Sequence, residues 1–177
     1  MNSRHTVVES PLGQITLVAI DDALMGLYFP HHWYMPSMDT FGNRVEALDD
    51  AVFSAAAIQL DEYFRGDRTS FDLKTATRGD LFQEQVWALL KDIPSGETTT
   101  YGELAEELGN KSLAQQVGKA VGQNPLCIIV PCHRVVGKGG KLTGYAGGIP
   151  RKQFLLELEE SEDARAARLL VDAGKLF

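Results

Sequence analysis

One stretch, residues 128–136 with the sequence IIVPCHRVV, constrains the fold and the chemistry of this chain most. Its apolar residues predict a β-strand over residues 126–130, and Pro131, which has no N–H to donate to a sheet, marks where that strand stops pairing. Cys132 and His133 then lie in a turn at the strand end. A thiol reacts as its thiolate, and a neighbouring imidazole or helix N-terminus raises the thiolate share at neutral pH. The stretch therefore predicts either a buried structural cysteine or a reactive one.

Length and cysteine content limit the classes of protein that remain. A chain of 177 residues holds one medium domain or two small lobes that share a core. No apolar run approaches the roughly 20 residues of a membrane span, and the N-terminus lacks a signal pattern, so we expect a cytoplasmic protein. The two cysteines, Cys127 and Cys132, have no partners at zinc spacing. His31 and His32 likewise lack further ligands nearby, so we predict no metal site.

The net charge of −7 argues against a nucleic-acid partner only at first sight. Acidic residues concentrate in residues 46–72 and 157–163, whereas residues 111–152 contain no Asp or Glu. One face of an acidic molecule can therefore be basic, and charge distribution decides more than the total. The basic residues of that segment are Lys111, Lys119, Arg134, Lys138, Lys141, Arg151 and Lys152.

Residues 1–75 predict an N-terminal α/β lobe, a small sheet with one helix packed against it. Alternating apolar residues indicate the strands, and an apolar stripe of Phe53, Ala57, Leu60 and Phe64 indicates the helix. The predicted elements are β-structure over residues 6–20, a paired strand over 24–29, a loop over 31–43, a helix over 45–64 ended by Gly66, and a polar link over 67–79. No residue of this lobe indicates chemistry, so we interpret it as a scaffold.

Residues 80–160 predict a second, mostly helical lobe. Its helices begin at capping boxes, in which the N-cap residue and the residue three positions later each bind the other's backbone N–H. The three boxes are Asp80 with Gln83, Thr100 with Glu103, and Ser112 with Gln115. The last two open short helices separated by a tight turn at Gly109, which is the helix-turn-helix pattern. There follow the predicted strand and cysteine turn, a glycine-rich loop to Gly148, a helix from Pro150, and a tail over residues 161–177.

Residues 131–135, PCHRV, resemble the signature of the O6-alkylguanine-DNA alkyltransferases, a family of suicide repair proteins. Several spaced matches in one order are far more specific than one pentapeptide. The resemblance implies an α/β (α+β) fold, in which the N-terminal sheet-plus-helix lobe is followed by a winged-helix-like C-terminal lobe. It runs from about Leu81 to Glu159 and includes Asn124-Pro125, Tyr101-Gly102 and the sequence TGYAGG at residues 143–148.

The reaction that the resemblance implies is a suicide alkyl transfer in DNA repair. The Cys132 thiolate attacks the alkyl carbon on O6 of guanine, or on O4 of thymine, in duplex DNA, and the stable thioether allows a single turnover. His133 takes the thiol proton through a water, and Glu159 orients His133. Asn124 ties the helix-turn-helix to the cysteine segment, and Tyr101 donates a proton to the leaving guanine. No cofactor is implied, because the substrate carries the transferred group.

The same resemblance implies how DNA is bound. The second helix of the helix-turn-helix enters the minor groove without sequence preference, and the damaged base flips out of the stack. Val121 packs on the flipped base, and the carbonyls of Cys132 and Val135 meet its exocyclic amine. A monomer is expected, and cooperativity along DNA stays open. The loop that closes over the base and the other implied contacts comprise Tyr145, Ala146, Gly147, Gly148, Thr100, Ala114, Gln116, Lys119 and Arg134.

One position departs from the family pattern. Where relatives carry an arginine that fills the gap left by the flipped base, this chain has Gln115. Glutamine can still hydrogen-bond the orphaned partner base, but it lacks the charge and the stacking plane of a guanidinium. In the alternative interpretation, Gln115 is held in the capping box with Ser112.

Two rival functions come from other classes. The chain could be a helix-turn-helix sensor that holds alkylated DNA and recruits other repair factors without transfer, which Gln115 favours and the intact Cys132, His133 and Glu159 disfavour. A cysteine hydrolase is the other rival, and it requires an oxyanion hole and repeated turnover.

Overall fold

The computed structural model, which describes residues 2–174, begins with a four-stranded sheet in the order β3-β2-β1-β4. Strand β1 pairs antiparallel with β2, which pairs antiparallel with β3, and the short β4 runs parallel to β1. Ile15, Leu17 and Ala19 alternate along β2 and are fully buried, so one face of the sheet supplies core. The strands are β1 Ser3–Val8, β2 Ile15–Ile20, β3 Ala23–Tyr28 and β4 Asn43–Arg44.

The first helix, α1, covers Ala51–Phe64 and packs its buried face against this sheet. The predicted start near residue 45 is wrong by one turn and a half, because Ala47–Asp49 forms a separate 3-10 turn. Asp50 is the N-cap: it is extended, and its carboxylate accepts from the backbone N–H groups of Val52 and Phe53. Arg4 of β1 also binds the Asp50 carboxylate, which fixes the beginning of the helix to the sheet.

In the described residues 80–174, the second lobe and the tail contain five α-helices and a pair of two-residue strands. Helices α2 and α3 begin at the predicted capping boxes of Asp80 with Gln83 and of Thr100 with Glu103, and both boxes are confirmed. Contacts between α3 and α4, which are joined by a short turn, give the predicted helix-turn-helix. The bounds are α2 Leu81–Lys91, β5 Thr99–Thr100, α3 Tyr101–Glu107, α4 Ala114–Gly122, β6 Val135–Val136, α5 Ile149–Glu159 and α6 Glu162–Gly174, with β5 parallel to β6.

The predicted third capping box is wrong. Asn110 caps this turn instead: its side-chain oxygen accepts from the Ser112 backbone N–H at 3.0 Å and from the Ser112 hydroxyl at 2.7 Å. A 3-10 turn over Lys111–Leu113 then leads into α4, whose N-cap Leu113 makes no side-chain hydrogen bond. Ser112 therefore lies too early to cap α4, and Gln115 is not held in a box.

The predicted strand over residues 126–130 is also wrong, because this apolar run folds into a buried turn. Asn124 holds it closed: its side-chain N–H donates to the Val130 carbonyl at 2.8 Å, and its oxygen accepts from the Leu126 N–H at 3.0 Å. Within the turn, the Val130 N–H donates to the Leu126 carbonyl at 2.8 Å. Ile128 has a φ of 72°, in the left-handed region that a β-branched residue seldom adopts. Only Leu126 makes a sheet-like contact, to Leu27 at the edge of β3.

Tail residues 162–174 form α6 rather than a continuation of α5, and residues 175–177 lie outside the described part. No α6 residue is buried, and Arg168 donates to the Glu160 carboxylate at 2.9 Å just after α5 ends. Buried side chains of both lobes form one continuous hydrophobic core. Among residues 2–174 no helix is long and apolar enough to cross a membrane.

We predict that Asn124→Ala lowers the free energy of unfolding by about 2–3 kcal/mol, because it leaves the buried Leu126 N–H without its acceptor and removes one of the two donors to the Val130 carbonyl. Urea unfolding followed by circular dichroism measures the change. Asn110→Ala is the matched control: its bonds lie at the surface, so its loss should be about 1 kcal/mol or less. Equal losses in the two variants would contradict the structural role of Asn124.

Candidate active site

Cys132 is the first residue of a 3-10 turn, Cys132–Arg134, that follows Pro131 directly. It therefore lies at the start of a helical turn and not at a strand end. Its backbone N–H donates to the Val130 carbonyl at 2.8 Å, so the closed turn held by Asn124 sets the position of the cysteine. The side chain is 3% exposed, which places the thiol just beneath the surface.

A buried carboxylate, Glu159 at the end of α5, organises the neighbourhood of His133. His133 is fully buried, and its Nε2 lies 2.7 Å from Glu159 Oε1. The Tyr63 hydroxyl donates to the same oxygen at 2.7 Å. Arg134 donates from Nη2 to Oε1 at 2.8 Å and from Nε to Oε2 at 2.9 Å. Four hydrogen bonds from three side chains thus surround one carboxylate, as a buried charge requires.

The protonation states of this cluster follow from burial and pairing. Burial alone would raise the pKa of Glu159, but hydrogen bonds from His133 and Arg134 outweigh it and lower that pKa to about 2. Burial lowers the pKa of His133 despite the neighbouring carboxylate, so the imidazole is neutral at pH 7. Because Nε2 donates to Glu159, Nδ1 carries the free lone pair. Within residues 2–174, this buried Nδ1 has no hydrogen-bond partner, so it is available to take a proton.

Arg134, one of the expected DNA contacts, is directed into the protein. Arg134 is 6% exposed, and besides its bonds to Glu159 it donates from Nη1 to the Ile93 carbonyl at 2.6 Å. The guanidinium points inward because its two hydrogen bonds satisfy the buried Glu159 carboxylate. Lys152 is likewise buried, and its ammonium donates to the Thr143 carbonyl at 2.8 Å. The basic surface of residues 111–152 is correspondingly smaller than the sequence indicates.

The environment of the Cys132 sulfur favours the thiolate. The hydrogen bond shared with Cys127, whose Sγ is 3.7 Å away, lowers the pKa of Cys132, and the Asn124 side chain and the charge of Lys152 act in the same direction against burial. The bond with Cys132 and burial raise the pKa of Cys127 well above its ordinary value. Burial lowers the pKa of Lys152 to about 8, while Cys132 acts to raise it. Cys132 is therefore the more acidic of the two thiols.

Tyr101 and the glycine-rich loop flank the cysteine. Tyr101 is the first residue of α3, is half-buried, and its hydroxyl lies 3.5 Å from Thr143 Oγ1. Burial raises the pKa of Tyr101, and the nearby Cys132 charge acts in the same direction, so the phenol keeps its proton. Tyr145 is buried, and its hydroxyl lies against the Cys127 thiol, whose pKa it acts to lower. A Cβ at Gly147 would lie 2.6 Å from the Phe29 ring, so only glycine fits there.

Helix α4 presents a polar row to solvent. Gln115, Gln116 and Lys119 are exposed on one side, and on the other Val117, Ala120 and Val121 are buried in the core. Three of the other expected contacts are half-buried at helix starts: Thr100 before α3, Ala114 in α4 and Gly148 before α5. Two are buried, Val135 in β6 and Ala146 in the glycine-rich loop.

The interpretation of the N-terminal lobe as scaffold alone is incomplete, because it contributes residues to the site. Tyr63 of α1 binds Glu159, and His32 lies with its Nε2 3.7 Å from Cys127 Sγ. Trp33 donates its backbone N–H to the Ala146 carbonyl at 3.0 Å. Tyr63 continues the apolar stripe of α1, so nothing in its spacing distinguishes it from a core residue. Its role as a donor to Glu159 becomes visible only in the folded structure, where the two residues meet.

No group of three His, Cys, Asp or Glu side chains that could hold a metal ion occurs in the described part of the chain.

Comparison with known proteins agrees with the geometry. The chain matches the models of the 6-O-methylguanine DNA methyltransferase ribonuclease-like domain over residues 3–77 and DNA binding domain over residues 81–161. It is 46% identical over 157 residues to the methylated-DNA–protein-cysteine methyltransferase of Mycobacterium tuberculosis, across 89% of this chain and 92% of the relative. The protein of the same name from Methanosarcina acetivorans is 45% identical, across 89% and 98%. The crystal structure of Mycobacterium tuberculosis OGT in complex with DNA is similar with a TM-score of 0.80 at 44% identity, across 89% of this chain and 92% of that one.

The depressed pKa of Glu159 predicts an acid-labile fold. Because that pKa falls from 4.5 to about 2 on folding, the ionised carboxylate makes its full contribution to the free energy of unfolding above pH 4.5. This contribution is lost as the pH falls towards 2. Over the full range this amounts to about 3 kcal/mol. His133, with its lowered pKa, weakens the fold in the same direction below pH 6.5.

Urea unfolding at pH 7, 5 and 3 measures this decline. Glu159→Gln should be less stable than the parent protein at pH 7, and its stability should fall less between pH 5 and pH 3. Parallel pH profiles of the two proteins would contradict the assignment of the acid sensitivity to Glu159.

Proposed function

This chain belongs to the 6-O-methylguanine DNA methyltransferase family, and from that premise we propose that Cys132 is the residue that accepts the alkyl group. Its reaction is DNA repair by transfer of an alkyl group from DNA to a cysteine of the protein, and DNA is its partner. The single observation that supports Cys132 is its position at the start of a turn in which the next residue is a buried, carboxylate-bound imidazole. We further propose O6-alkylguanine, and O4-alkylthymine as a second substrate.

The proposed step is an in-line displacement at the alkyl carbon. His133 Nδ1 takes the thiol proton of Cys132 through a water, and Glu159, bound to Nε2, stabilises the imidazolium that forms. A bond forms between Cys132 Sγ and the alkyl carbon while the carbon–O6 bond breaks, and its electron pair leaves with guanine. Tyr101, which keeps its proton, supplies hydrogen-bond donation to the leaving base. The product thioether is not cleaved, so each chain reacts once.

Acidity and neighbours distinguish Cys132 from Cys127. Both sulfurs are buried, so burial does not separate them. The pKa of Cys132 is lowered and that of Cys127 is raised, the bond between the two being the largest cause in each case. A thiolate forms most readily where other groups donate to it, which favours Cys132 as nucleophile.

The proposed DNA surface is the polar row of α4. Gln115, Gln116 and Lys119 would lie along the minor groove of duplex DNA without sequence preference, with the damaged base flipped towards Tyr101 and the loop over residues 145–148. Val121 lies in the core beneath this surface, so its contact with the base is limited to the edge of its side chain. We propose a monomer that needs no cofactor, in a reducing compartment such as the cytoplasm, which keeps the two free thiols reduced.

The sensor alternative is not favoured. A protein that only binds alkylated DNA has no use for a neutral imidazole fixed by a buried carboxylate beside an acidified thiol. The thiol, the imidazole and the carboxylate occur together in this chain, and this combination suits alkyl transfer to the thiol.

We predict that the protein gains one methyl mass per chain from duplex DNA that contains O6-methylguanine, and that peptide mapping places it on Cys132. Cys132→Ser should gain none, whereas Cys127→Ser should still reach one methyl per chain at the end of the reaction. Intact-mass spectrometry provides the measurement. An adduct on Cys127, or repeated turnover of DNA by the Cys132→Ser variant, would overturn the assignment.

We predict that Gln115→Arg binds lesion duplex more tightly and accepts the alkyl group from DNA faster. Gln115 is exposed and free of the helix cap, so a planar cation there can fill the gap left by the flipped base. The salt dependence of binding should steepen by about one phosphate equivalent if the arginine reaches the backbone.

Two controls accompany this variant. Transfer from the free alkylated base, which needs no flipping, should be unchanged in Gln115→Arg. Gln153→Arg adds the same charge at an exposed position of α5 and should not quicken transfer from DNA. Equal acceleration by both variants would show a general charge effect and reject the role of Gln115 in flipping.

A further inference from the structure

Three buried side chains form a row that the proposed mechanism leaves without a full explanation. His32, Cys127 and Cys132 are 7%, 0% and 3% exposed. His32 Nε2 lies 3.7 Å from Cys127 Sγ, and Cys127 Sγ lies 3.7 Å from Cys132 Sγ. Both distances are within the range of hydrogen bonds to sulfur. The row therefore connects a loop of the N-terminal lobe to the reactive thiol.

The proton position on the first member of this row, His32, follows from its backbone neighbour. The backbone N–H of Phe29 points to His32 Nδ1 at 3.3 Å, and a backbone N–H can only donate. Nδ1 of His32 is therefore an acceptor without a proton. Burial, with a smaller effect from the charge of Arg151, lowers the pKa of His32 to about 4, so the ring is neutral at pH 7 and its proton is on Nε2.

Nε2–H of His32 then donates to Cys127 Sγ. Geometry allows either sulfur to donate across the 3.7 Å contact between them, and Cys127, whose pKa is raised while that of Cys132 is lowered, keeps its proton and donates it to Cys132 Sγ. The resulting sequence of donors is Phe29 N–H, His32 Nε2–H and Cys127 S–H, and it ends on the Cys132 sulfur. A thiolate accepts this last bond well, whereas the thioether product is a weak acceptor.

We infer that Cys127 and His32 are positioning residues for the alkyl transfer: His32 orients the Cys127 thiol, and the Cys127 thiol donates a hydrogen bond that stabilises the Cys132 thiolate. The inference rests on the proposed function, in which Cys132 is the nucleophile. Neither residue contacts the substrate. His32 is held in place by its neighbours, with its ring 5.3 Å from that of Tyr28 and 6.2 Å from that of Phe29.

Other groups also act on the two sulfurs, and they are the same in the variants compared below. On Cys132 these are the Lys152 charge from α5 and the Asn124 side chain, and the Cys132 charge in turn acts on Tyr101 of α3. His133 follows Cys132 directly and is neutral. Tyr28 of β3 and Tyr145 of the glycine-rich loop face Cys127, and Arg151 faces His32.

Removal of the donor has an effect that changes sign with pH. Without the Cys127 hydrogen bond the pKa of Cys132 rises, which lowers the thiolate fraction at neutral pH. A thiolate of higher pKa is also more nucleophilic, by about a threefold rate for each pKa unit. For each unit of rise, Cys127→Ala should therefore react about threefold slower at pH below both pKa values, and about threefold faster at pH above them.

The experiment measures the rate of methyl transfer from free O6-methylguanine base to Cys132 between pH 6 and 10, by intact mass, with a reductant present to keep both thiols reduced. The free base removes DNA binding and base flipping from the comparison. Cys127→Ala should show a higher apparent pKa and a profile that crosses that of the parent protein. Cys127→Ser, which keeps a hydrogen-bond donor of similar size, should return towards the parent profile. His32→Phe, which removes the group that orients Cys127, should shift in the same direction as Cys127→Ala but less.

The outcomes separate this inference from the proposed function. If the parent protein takes no methyl group on Cys132 from DNA or from free base, the proposed function fails. If the parent reacts at Cys132 and Cys127→Ala follows the same pH profile, or is slower by one factor at every pH, the inference alone fails. A uniform factor indicates a packing defect, and iodoacetamide labelling of Cys132 against pH provides a second measure of its pKa in each variant.

Discussion

The buried carboxylate of Glu159 is the interaction on which the rest of this site depends. A charge in the core is stable only with several donors, and here they come from α1, through Tyr63, and from the cysteine turn, through His133 and Arg134. Arg134 extends the connection to the end of α2 through the Ile93 carbonyl. One group therefore fixes the relative positions of four segments and, at the same time, fixes which nitrogen of His133 is free. Loss of any partner leaves a buried charge uncompensated.

A second constraint is the closed turn between α4 and the cysteine. Asn124 binds both ends of that turn, and the Val130 carbonyl accepts from Asn124 and from the Cys132 N–H. The end of α4 is thereby joined by short hydrogen bonds to Cys132. Since α4 packs against both α2 and α3, the orientation of the helix-turn-helix and that of the thiol are set together. Such a rigid connection suits the proposed transfer, in which one sulfur must meet a base held by the helix-turn-helix.

The candidate active site lies between the two lobes, and each lobe contributes different residues to it. The C-terminal lobe supplies Cys132, His133 and Glu159, to which we assign the transfer, and the polar row of α4. The N-terminal lobe supplies Tyr63 to the carboxylate, His32 to the row of sulfurs, and Trp33 to the loop at Ala146. The N-terminal lobe therefore does more than support the second lobe: α1 and the loop after β3 supply polar contacts to Glu159, Cys127 and Ala146.

The sequence by itself determined the helices that carry local signals, the helix-turn-helix, and the pairing of Cys132 with His133. Asp80 with Gln83 and Thr100 with Glu103 specify helix starts because each box is closed within four residues. The tertiary structure alone decided that residues 126–130 form a turn, that Asn110 replaces Ser112 as a cap, and that Arg134 points inward. It also decided that Tyr63 and His32 belong to the site. The physical reason is that these features depend on contacts between residues far apart in the sequence. An apolar run has the same composition in a buried turn as in a strand. A buried carboxylate binds the donors that lie near it in space, and the order of residues along the chain does not record that proximity.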